Sequence, residues 1–459
     1  MKKINLGNNI ARVHFIGIGG ISMSGLAEVL MRDGYTVTGS DNTQTAITNH
    51  LQQMGIPIAI PNTAQNIAHD VDLVVYTAAI RPNNPEFAAA VQMKKPMLER
   101  AALLGLMLQG YEKAICVAGS HGKTTATMLM AEILLEAGLD PTISVGGHLG
   151  RTGSNYRAGD SDYFLLESCE YSNSFHHWFP HIGIILNIDA DHLDFFGTFE
   201  NVVASFKKFT DNIRPGGVLV VQDEANQLLG KTGQLKSHVI TFGQTSGRFK
   251  ADNVVYDNMG RPSFDVLDND YFLARVNLTL PGRYNMLNAM ATFAAAYALD
   301  IAPDTIARAL SNAKGVKRRY EYKGIYNGAH IIDDYAHHPT EIVQCLAAAR
   351  KAAQGRLICI FQPHTYTRTR NHFDDFIRSF GDADKVLLLP IYAAREPFDP
   401  SISSLHLADG IKKNGKDVLH LNDFEEAINL LRTELIPGDL LITMGAGDVY
   451  FVGDALIKS

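Results

Sequence analysis

Residues 117–125 read VAGSHGKTT and stand where an apolar run, 114–117, gives way to a helical pattern. Gly119 and Gly122 let the backbone fold around an anion. Successive N–H groups, those of Ser120 and His121 among them, and the helix N-terminus that follows can then point at phosphate oxygens. Lys123 adds a point charge for the β- and γ-phosphates, and the hydroxyl of Thr124, followed by Thr125, is placed to ligate Mg²⁺. The stretch reads as a phosphate loop with one departure: Val117 stands six residues before Lys123, where the usual pattern has glycine. A glycine-rich turn carrying an ordinary surface lysine is the alternative. It does not account for strand, glycines, Gly-Lys and the threonine pair occurring together, so the chain is expected to use a nucleoside triphosphate.

The rest of the composition limits what such a chain can be. At 459 residues it exceeds one ordinary core, and a prior of about 150 residues per domain suggests three. A hydrophobic content of 46% with 19% charged residues is that of a soluble globular protein. The net charge is −7 and no Lys/Arg block forms a nucleic-acid stripe, which points away from a nucleic-acid partner. Cys116, Cys169, Cys345 and Cys359 are far apart with no CxxC pair, so reduced thiols are expected, not a disulfide frame or zinc site. The opening MKKINLGNNI lacks a signal-peptide core, and no apolar run approaches the roughly 18 residues of a membrane span. No membrane partner and a cytoplasmic location are the expectations.

Three α/β domains are expected, at 1–110, 111–315 and 316–459. The first opens with a strand at 13–16, the turn GIGGISMSG and a helix through Leu26, Val29 and Leu30. Gly17, Gly19 and Gly20 fit a dinucleotide-type turn in a Rossmann-like domain, and Asp41 follows Gly17 by 24 residues, near where an acidic group meets a ribose. The third fingerprint glycine is replaced by Ser22, which weakens an NAD reading and leaves a diphosphate held at strand ends. A strand at 72–77 then leads into the polar loop AAIRPNNPE.

In the second domain, apolar runs at 163–167, 182–188 and 218–221 alternate with helical or polar stretches, as in a largely parallel sheet whose ligands gather at the strands' carboxyl ends. Those ends carry ESCE at 167–170 and NIDADH at 187–192. Residues 250–280 read as less regular β structure, and PGRYNMLNA from Pro281 as a loop feeding a helix. The third domain alternates again, with strands at 329–332, 357–361, 386–391 and 440–444 delivering His, Asp and Arg to one edge, and Pro339 in the first turn of a helix.

Mg²⁺ takes oxygen ligands, which Thr124 and Glu167 can supply. His192 could hold a second ion; imidazole is atypical for Mg²⁺ and also suits Mn²⁺. The alternatives are a solvent-facing carboxylate at 167 and a structural histidine at 192. Arg318 and Arg319 could clamp phosphate or be a solvated linker pair. Arg368 and Arg370 could fork a carboxylate or point one inward and one outward. His337 and His338 are open in the same way, one packing on the following helix. Cys169 fits a packing residue better than a nucleophile. Residue chemistry stops at an ATP-dependent enzyme of three α/β domains with an anionic substrate, without choosing among ligase, kinase and motor ATPase.

In their order, HFIGIGGISMSGLAE, GSHGKTT, ESCEYSNSF, NIDADHLD, GRYNMLNA, VKRRYE, DDYAHHPTEI, FQPHTYTRTR and YAARE span nearly the whole chain. With them the chain resembles the Mur ligases of bacterial cell-wall synthesis, and within these the alanine-adding branch. The resemblance implies a Rossmann-like N-terminal domain holding UDP-N-acetylmuramate, with Gly17, Gly19, Gly20, Ile21 and Ser22 on the diphosphate and Asp41 near the nucleoside. It implies a central ATPase domain binding MgATP through Gly119 to Thr125, with Glu167 on the first metal and His192 on the second. Asn288 would face adenine, Arg319 the γ-phosphate and Asp334 the ATP ribose or its surroundings. A Rossmann-like C-terminal domain would carry the L-alanine site, with Arg368 and His337. The implied reaction forms an acyl phosphate at the lactyl carboxylate, which the alanine amine then attacks. His192 and His337 are candidates for the general base. Three positions depart from the family pattern: Tyr284 replaces the adenine-loop histidine, Thr365 an arginine after His364, and Phe206 the lysine that elsewhere carries a carbamate. Competing readings are the branch that attaches an intact tripeptide, an NAD-dependent oxidoreductase, and a catalytically silent nucleotide-binding protein.

Overall fold

The computed structural model describes residues 4–7, 9–77, 79–147, 155–230, 237–394 and 396–458, apart from the side chains at 21 and 194. The fold is α/β with mostly parallel strands in every third of the chain. By compactness the chain divides into two units. The first holds Met1–Ile188, Glu200–Thr241 and Ala294–Ile301; the second holds Asp189–Phe199, Phe242–Phe293 and Ala302–Ser459.

The first unit begins with β1 (Arg12–Ile16), β2 (Thr36–Ser40), β3 (Ile58–Ala59), β4 (Leu73–Tyr76) and β5 (Met97–Glu99), all parallel in the order β3-β2-β1-β4-β5. The order reverses between β1 and β4, so the glycine turn after β1 and the loop after β4 open at the switch point where doubly wound sheets bind ligands. Strands and helices expected from the sequence at 13–16, 72–77 and in ERAALLGLMLQG all form, the last as the helix Arg100–Gln109.

The same unit continues with β6 (Lys113–Ala118), β7 (Thr142–Ser144), β8 (Tyr156–Arg157), β9 (Tyr163–Glu167), β10 (Ile182–Ile185) and β11 (Val218–Gln222). Their order is β11-β10-β6-β9-β7-β8, parallel except for β8 against β7. β6 is central, and Val117 pairs with Ile184 on one side and Glu167 on the other. The helix behind it, Lys123–Glu136, buries ten of its 14 residues. A helix without a polar face is packed on all sides, which leaves its N-terminus little freedom. The run at 182–188 gives a shorter strand, because Leu186 and Asn187 leave the sheet to brace the loop after β6.

After β12 (His238–Gly243), the second unit holds β13 (Phe249–Tyr256), β14 (Pro262–Asp268) and β15 (Tyr271–Asn277). Residues 250–280, expected to be less regular, form an antiparallel meander. Register shifts at Asp252/Val255 and Val266/Leu267 break the two-residue alternation, which hid the strands. The third sheet contains β16 (Glu321–Tyr326), β17 (Ala329–Asp334), β18 (Leu357–Phe361), β19 (Lys385–Leu388), β20 (Asp417–His420) and β21 (Leu440–Met444), in the order β16-β17-β21-β18-β19-β20. All but β16 are parallel, so the four expected strands do end on one edge. Among the described residues no helix is long and apolar enough to cross a membrane.

Within the first unit the helix Arg100–Gln109 is pressed against the segment before β10. The single tryptophan, Trp178, is 2% exposed and donates its indole N–H to Ala101 O at 3.0 Å. Arg214 donates to Leu108 O at 2.8 Å and to Tyr111 O at 2.7 Å, capping the helix end. A Cβ on Gly105 would stand 2.2 Å from His177 O, which no side-chain adjustment relieves. Gly105→Ala is therefore expected to destabilise the first unit by about 2 kcal/mol, as overpacking of a filled core does. Trp178 fluorescence would report it as a lowered denaturation midpoint; an unchanged midpoint would contradict the contact.

Candidate active site

The loop after β6 is wrapped around its own lysine. Lys123 Nζ donates to Gly119 O at 2.6 Å, to Ser120 O at 3.0 Å and to Glu170, whose Oε2 lies at 2.8 Å and Oε1 at 3.1 Å. Burial pulls the Lys123 pKa down, but Glu170 and then Cys169 outweigh it and drive it above the ordinary range, so the ammonium stays charged. Glu170 is only 1% exposed. Gly119 has φ +147°, and a Cβ there would meet Leu186 Cβ at 3.0 Å and Asn187 N at 3.3 Å. Gly122 has φ +82° and caps the helix. Asn187 clamps the turn from outside: its Oδ1 accepts from His121 N at 2.8 Å and its Nδ2 donates to His121 O at 3.0 Å. Val117 in place of glycine needs no compensation, since it is a paired, fully buried strand residue and the turn begins after it.

Two oxygen ligands converge beside the lysine. Thr124 donates its hydroxyl to Glu167 Oε1 at 2.8 Å, and Glu167 Oε2 accepts from Gly146 N at 2.6 Å. A hydroxyl and a carboxylate in contact, with one carboxylate oxygen oriented by a backbone amide, suit a hard divalent cation such as Mg²⁺. Burial pushes the Cys169 thiol up to about 11, which agrees with a packing role. Phe206, standing where some relatives of the implied family have lysine, is 0% exposed and meets Phe175 edge to face at 5.3 Å.

His192 belongs to the second unit, where it starts the short helix Leu193–Phe196 with φ +55°. Its N–H donates to Asp191 Oδ1 at 2.7 Å and its ring Nε2 lies 3.7 Å from Asp191 Oδ2. Asp189 and Asp191 are held by side chains of two helices of the same unit, Pro339–Ala352 and Tyr366–Asn371. Thr340 donates to Asp189 Oδ2 at 2.7 Å, and Arg368 Nη2 to Asp191 Oδ1 at 3.2 Å. Arg368 also lies 3.3 Å from His364 Nδ1 and is 12% exposed, whereas Arg370 pairs with Asp399 and is 49% exposed. One arginine is inward and one outward. Thr365, at φ +66°, caps the helix Tyr366–Asn371 by accepting from Arg368 N at 3.3 Å.

Around β17 the carboxylates organise backbone. Asp334 accepts from Tyr320 N and Ala336 N, both at 2.7 Å, and burial pushes it up to about 6. Its carboxylate is thus committed to the chain on both sides. Arg318 and Arg319 are not a solvated linker pair: both lie just before β16, a strand hidden by the run of charges at its start. Arg318 donates to Gly445 O at 2.7 Å and lies over the Tyr335 and Tyr450 rings, a structural role. Arg319 lies over Tyr335 at 5.0 Å and 4.0 Å from Glu341. His338 caps the helix Pro339–Ala352, as expected of one of the pair. His337 Nδ1 lies 2.9 Å from Tyr335 O and its ring faces His364 at 5.6 Å. Burial pushes its pKa down to about 3 against the pull of Glu341, so the ring is neutral, and Nδ1–H donating to Tyr335 O leaves Nε2 as acceptor. Asn288 and Asn285 are each 4% exposed and their amides lie 3.5 Å apart, while Tyr284 packs against Gly282.

In the first sheet, Gly17 (φ +78°) and Ile18 donate their N–H groups to Ser40 O, each at 2.9 Å. Gly20 precedes the helix Ile21–Arg32, with Ser22 in its first turn. Asp41 Oδ2 accepts from Gly19 N at 2.9 Å, and a Cβ on Gly19 would stand 2.8 Å from that oxygen. Asp41 therefore braces the turn itself. The side chain of Ile21 lies outside the described residues. Sequence reading missed Glu170 and Asn187 as the residues that hold Lys123 and its turn. The signal available for Glu170 was a second carboxylate three residues after Glu167 at the same strand end.

Known proteins share both sequence and architecture. Family models match in chain order: Mur ligase family catalytic domain over 12–112, Mur ligase middle domain over 117–296, and Mur ligase glutamate ligase domain over 318–447. The UDP-N-acetylmuramate–L-alanine ligase of Clostridium novyi is 46% identical over 454 residues, covering 99% of each chain. That of Lachnospira eligens is 46% identical over 460 residues, covering 100% of both. Among solved structures, UDP-N-acetylmuramate-alanine ligase from Thermotoga maritima matches with TM-score 0.79 at 28% identity, covering 97% of this chain and 98% of that one. A murein peptide ligase from Psychrobacter arcticus matches with TM-score 0.68 at 25% identity, covering 98% of each. With a glycine-wrapped lysine at the end of a central parallel strand and all three domain models matched in order, the chain belongs to the Mur ligase family.

Proposed function

We infer that the chain is an ATP-dependent ligase that joins L-alanine to the lactyl carboxylate of UDP-N-acetylmuramate in peptidoglycan precursor synthesis. The observation that carries this is the phosphate loop of Lys123, Thr124 and Glu167 in a chain 46% identical, end to end, to relatives named for that activity. The competing branch that attaches a peptide is less well supported: two of its solved members match at TM-scores 0.68 and 0.60, against 0.79 for the alanine ligase. The parts are assigned as domains 1–110 for the UDP-sugar, 111–315 for MgATP and 316–459 for the amino acid, acting in the cytoplasm.

The reaction asks a carboxylate to approach a triphosphate, anion against anion. Lys123 and Arg319 are the side chains assigned to lower that repulsion, the first on the β/γ-phosphates and the second on the γ-phosphate. Mg²⁺ on Thr124 and Glu167 would supply further charge neutralisation there, with His192 assigned to a second ion. Ser120 and His121 spend their amides on Asn187, so the N–H groups assigned to the phosphates are those of the first turn of the helix behind them, Thr125 among them, and Asn288 is assigned to the adenine. Asp334 acts by fixing Tyr320 and Ala336, on either side of the Arg319 segment and His337, rather than by touching ribose. Gly17, Gly19, Gly20, Ile21, Ser22 and Asp41 form the diphosphate turn. Arg368 and His337 are assigned to the alanine site, Arg368 to the carboxylate; the alanine ammonium must lose a proton before its amine attacks, and His337, with Nε2 an acceptor but its pKa pushed down to about 3, is a weak base for that step. The acyl phosphate formed on the lactyl carboxylate passes its acyl group to the amine as inorganic phosphate leaves.

Phosphate release from MgATP and UDP-N-acetylmuramate should require L-alanine and be absent with the tripeptide. Dependence on tripeptide would move the chain to the peptide-attaching branch, and silence with both would leave only nucleotide binding. Lys123→Ala should abolish phosphate release, a loss of at least about a thousandfold, while UDP-sugar binding measured by calorimetry persists; loss of both would overturn the division of labour between domains. For Arg368→Ala, steady-state kinetics should show the KM for L-alanine raised about 30-fold or more, the worth of a charge-assisted hydrogen bond. The KM for ATP should stay within about threefold.

A further inference from the structure

Beneath the glycine turn of the first sheet lies a carboxylate that the proposed reaction does not use. Glu86 is 0% exposed and follows Pro85 at the start of the helix Pro85–Gln92. The N-cap Asn84 accepts from Glu86 N at 2.9 Å and Phe87 N at 3.1 Å. Glu86 Oε2 accepts the hydroxyl of Ser40, the last residue of β2, and has His14 Nε2 of β1 3.6 Å away. Glu86 Oε1 accepts from Thr63 N at 3.3 Å and from the Asn66 side-chain amide. His14 is itself oriented by Thr38 Oγ1, 2.9 Å from its Nδ1. Burial pushes the Glu86 pKa up, but His14, Ser40 and Asn66 together outweigh it and hold the group below its ordinary value, so it is buried as an anion.

A buried anion contributes little net stability compared with apolar side chains of the same volume, so stability alone does not explain this cluster. Its connections suggest a different role. The carbonyl of Ser40 accepts both Gly17 N and Ile18 N, so the residue whose hydroxyl is tied to Glu86 also holds the glycine turn through its backbone. On its other side Glu86 stands two residues beyond Asn84, at the end of the RPNNPE loop that follows β4. The carboxylate thus joins the two turns that open at the switch point between β1 and β4. His14 and Ser40, from two adjacent strands, fix its lateral position.

We propose that Glu86, acting through Ser40, is a positioning residue for the UDP-sugar, setting the spacing of the Gly17–Gly20 turn and the loop at 81–84 against which the diphosphate is held. This rests on the reading that the first turn binds the UDP-sugar. Ser40→Ala deletes one hydroxyl and leaves the carbonyl that holds Gly17 and Ile18; Glu86→Gln removes the charge. Each should raise the KM and the calorimetric Kd for UDP-N-acetylmuramate about tenfold, with kcat and the KM for ATP within about twofold, and the double variant should be no worse than the worse single one. Should Glu86→Gln not fold, Ser40→Ala carries the measurement alone. Folded variants with unchanged UDP-sugar KM and Kd would overturn the proposal, as would losses shared equally by kcat and the KM for ATP, which mark general destabilisation. Failure of the wild-type protein to bind UDP-N-acetylmuramate would instead overturn the reading on which the proposal rests.

Discussion

A charged ammonium can be buried only if every one of its protons has a partner, and the phosphate loop is shaped by that requirement. Lys123 meets it with Gly119 O, Ser120 O and Glu170, and the first two are carbonyls of the very turn that the lysine closes. The turn can pass that close only because Gly119 and Gly122 adopt positive φ and because no Cβ intrudes on Leu186 and Asn187. Asn187 then seals the outside of the turn through His121. Strand, loop and helix follow from this one arrangement: β6 must be central so that Leu186 and Asn187 lie beside it, and the helix must be packed all round so that its N-terminus does not drift.

The same solution recurs at the carboxyl edge of each sheet. Parallel strands leave amides and hydroxyls unpaired where they end, and a carboxylate is the group that gathers several of them at once. Glu86 gathers Ser40, Thr63 and Asn66 in the first sheet, and Glu167 gathers Thr124 and Gly146 in the second. Asp334 gathers Tyr320 and Ala336 in the third, where Glu341 also accepts from His337 N at 3.1 Å and His338 N at 3.3 Å. Each anion holds a turn in a geometry that the strands alone do not specify. Asp334 held at a pKa of about 6 by burial shows the cost of using an anion this way, and its two amide bonds show what offsets it.

Much of this fold is legible in the sequence, because apolar runs such as 163–167, 357–361 and 440–444 coincide with strands end to end. Buried parallel strands need no alternation, and a plain apolar run marks them. Legibility fails where the strand is half exposed. β16 carries Glu321 and Lys323, and β13 and β14 shift register, so neither presents a clean pattern. In the candidate site the lysine, threonine and Glu167 are readable because their spacing to the glycines is local or set by one strand end. The partners of the cations are not, because Glu170 to Lys123 and Asp191 to Arg368 span 47 and 177 residues. Nor does sequence distinguish Arg318 from Arg319. Only the positive φ of Arg318 and the strand that follows put one side chain over two tyrosine rings and leave the other beside Glu341.

Those cation partners bear on how the site discriminates. Lys123, Arg319 and Arg368, the three cations assigned to anionic groups of the substrates, stand 2.8, 4.0 and 3.2 Å from Glu170, Glu341 and Asp191. A cation already paired gains from a new anion only the difference between the two partners. On the proposed reading, a tetra-anionic triphosphate at Lys123 would exceed a single carboxylate in charge, so that exchange would be favourable. On the same reading, an alanine carboxylate at Arg368 would carry the same charge as Asp191, so the two would share one guanidinium, and removing Arg368 would leave both carboxylates without their cation.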